Sequence, residues 1–67
     1  MAISTVQVQG MTCDHCVAAV RGEVERLDGV TGVDVDLESG TVTIDASRSL
    51  SDDEIAAAID EAGYELA

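Results

Sequence analysis

Cys13 and Cys16 stand two residues apart in Gly10-Met11-Thr12-Cys13-Asp14-His15-Cys16, and they are the only cysteines of the chain. Thiolates are soft ligands. A C-x-x-C pair can close on one metal ion when its first member lies in a loop and its second in the first turn of a helix. The surrounding residues predict that placement, with a strand-like run before the pair and a helix-like run after it. A sulfur in a first helical turn faces unpaired backbone N–H groups, whose positive potential favours the ionised form. Cys16 is therefore expected to be available as a thiolate without a catalytic base. The competing reading, two inert buried thiols, is opposed by the polar Asp14 and His15 between them.

Met11 and His15 bear on the same chemistry. A thioether can bind soft metals, but a methionine two positions before the first cysteine is better read as a plug in the core, and Met11 is assigned that role. His15 could serve as a third ligand, tune the thiolates or ligate across a metal-bridged dimer. Adjacent helical residues project about 100° apart, so an exposed or tuning role is preferred. Tyr64, far along the chain, combines an apolar ring with a polar tip and could cap the core. Asp14 reads as an acid at a helix start.

The elements that must position these residues follow from periodicity. Ile3 to Gln9 alternates, with Val6 and Val8 on one face and Ser4 at the margin of that face, which predicts a half-buried strand. Val17, Val20, Val24 and Leu27 recur at helical spacing, giving three to four turns that Gly22 weakens and Asp28-Gly29 ends, with positive φ expected at Gly29. Val33 to Glu38 and Thr41 to Ala46 alternate on either side of Ser39-Gly40. They predict a hairpin with Val33, Val35, Leu37, Val42, Ile44 and Ala46 inward. Ser51-Asp52-Asp53-Glu54 has the pattern of a capping box. It precedes an apolar stripe of Ile55, Ala58, Ile59 and Ala62, which Gly63 closes. Tyr64-Glu65-Leu66 is expected to add an edge strand. The order βαββαβ is that of an α+β ferredoxin-like sandwich, a four-stranded antiparallel sheet with both helices on one face.

Sixty-seven residues make a single domain, residues 1–67, that buries only about 60% of its unfolded surface. Fourteen acids face three arginines, Arg21, Arg26 and Arg48, with no lysine, for a net charge of -11. Such a chain repels nucleic acid and anionic membrane, and its single aromatic residue offers no stacking platform for bases. No apolar stretch is long enough to cross a bilayer. Met1 leads within two residues into the first strand with no basic stretch, so no export signal is evident and a free-standing chain in the reducing cytoplasm is expected. In that compartment a cysteine pair points to a metal or redox site rather than a structural disulfide. No carboxylate pair, triad or phosphate loop suggests an enzyme.

With Gly10-Met11-Thr12-Cys13-Asp14-His15-Cys16 in the first strand-to-helix loop, Asp28-Gly29-Val30 after the first helix and Ala62-Gly63-Tyr64 before the last strand, the whole chain resembles a heavy-metal-associated domain. It is similar to the free-standing copper chaperones of prokaryotes. The resemblance implies Cu(I) bound by Cys13 and Cys16, with Met11, Thr12, His15 and Tyr64 around them. Only the resemblance places Tyr64 near the cysteines, where it could shield the metal or hydrogen-bond near a thiolate. It further implies transfer by thiolate exchange to the metal-binding domain of a copper-transporting P-type ATPase or to a copper-responsive regulator. Relatives that dock through lysines near the site differ from this chain, which has none. Hg(II) would also suit a dithiolate, though its scavengers normally carry export signals. Zn(II) prefers four ligands and would need help such as an Asp14 oxygen. A dithiol oxidoreductase is disfavoured by the lack of Trp beside the motif and of any proline.

The acids are spread along the chain rather than massed in a tail. That favours adaptation to a salty cytoplasm, where the Debye length falls to about 3 Å at 1 M, over a docking face for a basic partner. The melting temperature is accordingly expected to rise as KCl goes from low to molar concentration; a flat or falling trend would contradict salt adaptation.

Overall fold

A computed structural model describes residues 2–67; Met1, from which the sequence reading of the chain's start was taken, lies outside the described residues. The alternating run at the start becomes β1 (Ala2–Gln9), followed by α1 (Asp14–Glu25), β2 (Val30–Asp36), β3 (Thr41–Ala46), α2 (Asp52–Glu61) and β4 (Glu65–Leu66). All pairings are antiparallel and the sheet order is β2-β3-β1-β4. This is the ferredoxin-like βαββαβ arrangement.

Period-two and period-3.6 patterns meet in one layer. Val8, Val42 and Ile44 from the sheet are buried against Val20 and Val24 of α1 and Ile55, Ala58 and Ile59 of α2. Both helices thus cover one face of the sheet. The other face carries Thr5, Gln7 and Gln9 of β1, together with Ile3, which is 71% exposed. Ser4 is half-buried at the rim of the core face.

Helix α2 matches its sequence signals at both ends. The Ser51 hydroxyl accepts from the Glu54 N–H (3.1 Å), and the Glu54 carboxylate accepts from the Ser51 N–H (3.2 Å). At the other end Gly63 has φ +90°. Its N–H donates to Asp60 O (2.9 Å) while that of Tyr64 donates to Ile59 O (3.0 Å), a paired closure that satisfies two terminal carbonyls and turns the chain toward β4. Tyr64 itself stays outside the edge strand, which is two residues long rather than three.

Two further boundaries differ from the periodicity reading. α1 ends at Glu25 because the last bonds tighten: Arg26 N–H reaches Glu23 O and Leu27 N–H reaches Val24 O. Leu27 therefore packs on the core from beyond the helix. Gly29 does have positive φ, but in the turn closed by Val30 N–H to Leu27 O (3.2 Å) rather than directly past the helix. The hairpin loop is also longer than Ser39-Gly40. β2 stops at Asp36, whose side chain accepts from Glu38 N–H (3.1 Å) and whose carbonyl accepts from Gly40 N–H (2.8 Å). These bonds divert the backbone into a loop over residues 37–40. Leu37, expected inward on the strand, is half-buried in that loop and outside the core cluster. A bulge between Val30 and Gly32 absorbs the extra residue at the start of β2.

At the end of the domain where α1 stops and α2 starts, the Arg48 guanidinium joins three segments. It donates to Asp28 O (2.9 Å) and Ser49 O (3.2 Å) and pairs with Glu54 (3.2 Å). The opposite end is left to the cysteine loop.

The glycines separate two effects that composition merges. A Cβ at Gly22 would meet nothing within 4 Å, so Gly22→Ala is expected to stabilise by about 0.5–1 kcal/mol through helix propensity. A Cβ at Gly40 would lie 2.6 Å from the Val8 carbonyl oxygen on a backbone with φ +75°, and Gly40→Ala should cost more than about 1 kcal/mol. Denaturant unfolding of the two variants checks the opposite signs.

Candidate metal centre

Gly10 leaves β1 with φ +95°, a conformation that swings the chain out of the sheet and into the loop. The Tyr64 ring lies against it, with Cδ1 3.4 Å from where a Cβ would stand, an ordinary packing distance. Met11 then turns inward, half-buried against the core cluster. Thr12 and Cys13 are exposed.

Cys13 is the N-cap of α1, with extended backbone and no side-chain capping bond. Its carbonyl oxygen receives the N–H groups of Cys16 (3.0 Å) and Val17 (3.2 Å), while its thiol caps no backbone group and lies beside that of Cys16. Cys16, in the first turn, is half-buried. The two sulfurs lie 3.6 Å apart and neither is in a disulfide. The fold thus brings together Met11, Thr12, Cys13, Cys16 and Tyr64 at one end of the sandwich.

The electrostatics of the pair are unequal. The Cys16 thiol is lowered to about 6, chiefly by the Thr12 backbone N–H and next by the Tyr64 hydroxyl, with a smaller contribution from Cys13 and with burial opposing. Thr12 Oγ1 also lies 3.8 Å from Cys16 Sγ. The same contact raises the Tyr64 phenol, because a phenolate beside a thiolate would lose the hydrogen bond and add repulsion. Helix-start potential was the sequence-based reason for a Cys16 thiolate; in the structure the largest donor comes instead from the loop before the helix. That donor is a main-chain group, which no side-chain motif announces.

His15 is exposed on the first turn beside exposed Asp14. Among the described residues no group of three or more His, Cys, Asp or Glu side chains converges to hold an ion. The donor set presented by one chain is two sulfurs, open to solvent on the Cys13 side. Such a set suits a soft ion of low coordination number and leaves room for an incoming ligand.

Comparison with known proteins agrees with this geometry. The heavy-metal-associated domain profile matches residues 5–65. Over 69 aligned residues the chain is 48% identical to "Copper chaperone CopZ" of Bacillus subtilis (strain 168), covering 100% of this chain and 99% of that protein. Among solved structures it superposes on one described as "CopZ metallochaperone" with TM-score 0.91 at 34% identity, covering 98% of this chain and 100% of the other. A copper binding domain from a P-type ATPase gives TM-score 0.90 at 26% identity, covering 100% and 92%.

Titration of the reduced protein by thiolate ultraviolet absorbance should show one midpoint at about 6, assigned to Cys16. Tyr64→Phe removes a donor to the thiolate and should move that midpoint upward. A midpoint in the ordinary thiol range for the unaltered chain, or no shift in the variant, would contradict the hydrogen-bond account.

Proposed function

The chain belongs to the heavy-metal-associated domain family, and from that premise we propose that it is a Cu(I) carrier of the cytoplasm, binding copper between Cys13 and Cys16 and passing it on by thiolate exchange. The observation that carries the reading is the sulfur pair 3.6 Å apart on an open loop, one member already biased to the thiolate. Two thiolates on a monovalent ion leave a site of charge about -1, and two-coordination leaves the ion open to a third sulfur. Soft-donor preference and the absence of a converging third donor among the described residues favour Cu(I) over Zn(II), which takes four ligands in structural sites.

Transfer on this reading needs no change of oxidation state. An incoming thiolate forms a copper–sulfur bond, giving a shared three-sulfur site, and one of the resident sulfurs then leaves and takes up a proton or remains ionised. A second incoming thiolate replaces the other. One bond forms before another breaks, so tight binding and fast exchange are compatible. The exposed Cys13 and the open loop give the acceptor its approach, while Met11 packs beneath and Tyr64 and Thr12 hold the Cys16 sulfur. The acceptor is proposed to be the metal-binding domain of a copper-transporting P-type ATPase or a copper-responsive regulator. A metal-bridged pair of copies has to overcome a charge of -11 on each.

An anaerobic titration with Cu(I) and with Zn(II) in molar KCl, against a chromogenic competing chelator, tests the assignment. The expected result is Cu(I) binding that exceeds zinc, is abolished in the Cys13→Ser, Cys16→Ser double variant and is retained by Met11→Leu. Copper binding that survives loss of both sulfurs would overturn the carrier assignment. A loss in Met11→Leu comparable to that of the double variant would make Met11 a ligand rather than a plug.

A further inference from the structure

Beside the cysteine loop lies a shallow hollow of about 320 Å³ lined by Gln9, Gly10, Gly63, Tyr64 and Glu65. It adjoins the cysteine loop through Gly10, the first residue of that loop, and through Tyr64, whose ring lies against Gly10. Its remaining lining is suited to a cation. Gly10 and Gly63 contribute no side chains, and a Cβ at Gly63 would meet nothing within 4 Å, so the approach from that side is open. Gln9 Nε2 donates to Glu65 Oε2 (3.2 Å), a bond that leaves the Gln9 amide oxygen and the second Glu65 oxygen as acceptors in the lining. Among the described residues the ion pairs are Arg26–Glu23 and Arg48–Glu54, and Glu65 is in neither.

The three arginines lie elsewhere: Arg21 and Arg26 follow the middle of α1, and Arg48 is committed to Asp28, Ser49 and Glu54 at the far end of the domain. A carboxylate, an amide oxygen and an aromatic wall next to the transfer site are the groups that a guanidinium engages, by charge-assisted hydrogen bonds and by packing on the ring. A second copy of the chain, with a charge of -11, is a poor occupant. The geometry points to this hollow as the docking pocket for an arginine side chain that the copper acceptor carries beside its own thiols. The inference rests on the carrier reading and adds to it the chemistry of the acceptor's surface.

The test uses Cu(I)-loaded protein and two dye-labelled synthetic C-x-x-C peptides, one with arginine beside the motif and one with glutamine in its place. Stopped-flow transfer is followed in the unaltered protein, in Glu65→Gln and in Asp53→Asn. Asp53→Asn removes the same charge near the opposite end of α2, roughly 15 Å of helix away. The expected result is transfer about two- to five-fold faster to the arginine peptide, the range of an exposed charge pair. That preference should vanish in Glu65→Gln and persist in Asp53→Asn, with Cu(I) affinity unchanged in both. A preference that survives Glu65→Gln, or that Asp53→Asn removes equally, would overturn the pocket in favour of overall charge. Failure of the unaltered protein to load with Cu(I) would instead remove the carrier reading beneath it.

Discussion

The sulfur of Cys16 is held by two donors that reach it from different parts of the chain, the Thr12 N–H from the loop before α1 and the Tyr64 hydroxyl from the turn after α2. The second donor exists only because the sandwich closes. α2 must end where it does, its Gly63 closure must deliver Tyr64 over the loop, and Gly10 must take the positive φ that starts the loop beneath the ring. Each of these is a local event with a local cause. Together they turn an ordinary thiol into one that ionises near neutral pH.

The same arrangement divides the labour of the two cysteines. Cys16 is half-buried and hydrogen-bonded, while Cys13 is exposed and free of capping duty because its backbone carbonyl, not its side chain, receives the first helical N–H groups. One sulfur is thus partly enclosed by the fold while the other faces solvent. The opposite end of the domain is closed by Arg48, which draws the α1–β2 turn, the β3–α2 connection and the α2 cap together. The two ends of the domain thus differ, one tied by a charged side chain and the other carrying the exposed cysteine loop.

Most of this was legible in the sequence because the dominant signals are short-range. Strand alternation set the inward residues of β1 and β3, and the capping box and Gly63 set both ends of α2. Errors arose where a bond local in space overrode periodicity. Leu37 continued an alternating pattern, yet the Asp36 side chain and the Gly40 N–H diverted the backbone before it. Leu27 continued a helical pattern, yet the tightening last turn ended α1 first. In both cases a competing hydrogen bond was available to the main chain, and hydrophobic spacing carries no record of it.

By itself the sequence determined the element order, the faces of the strands and helices, and the placement of a C-x-x-C pair at a strand-to-helix junction, because each follows from side-chain period and capping chemistry within a few residues. Only the tertiary structure decided that Tyr64 lies beside the Cys16 site, that Gly40 must be bare against the Val8 carbonyl, and that a hollow opens beside Glu65. Those facts join residues far apart in the chain, and the distances between them are set by how the sheet and helices pack rather than by any local preference.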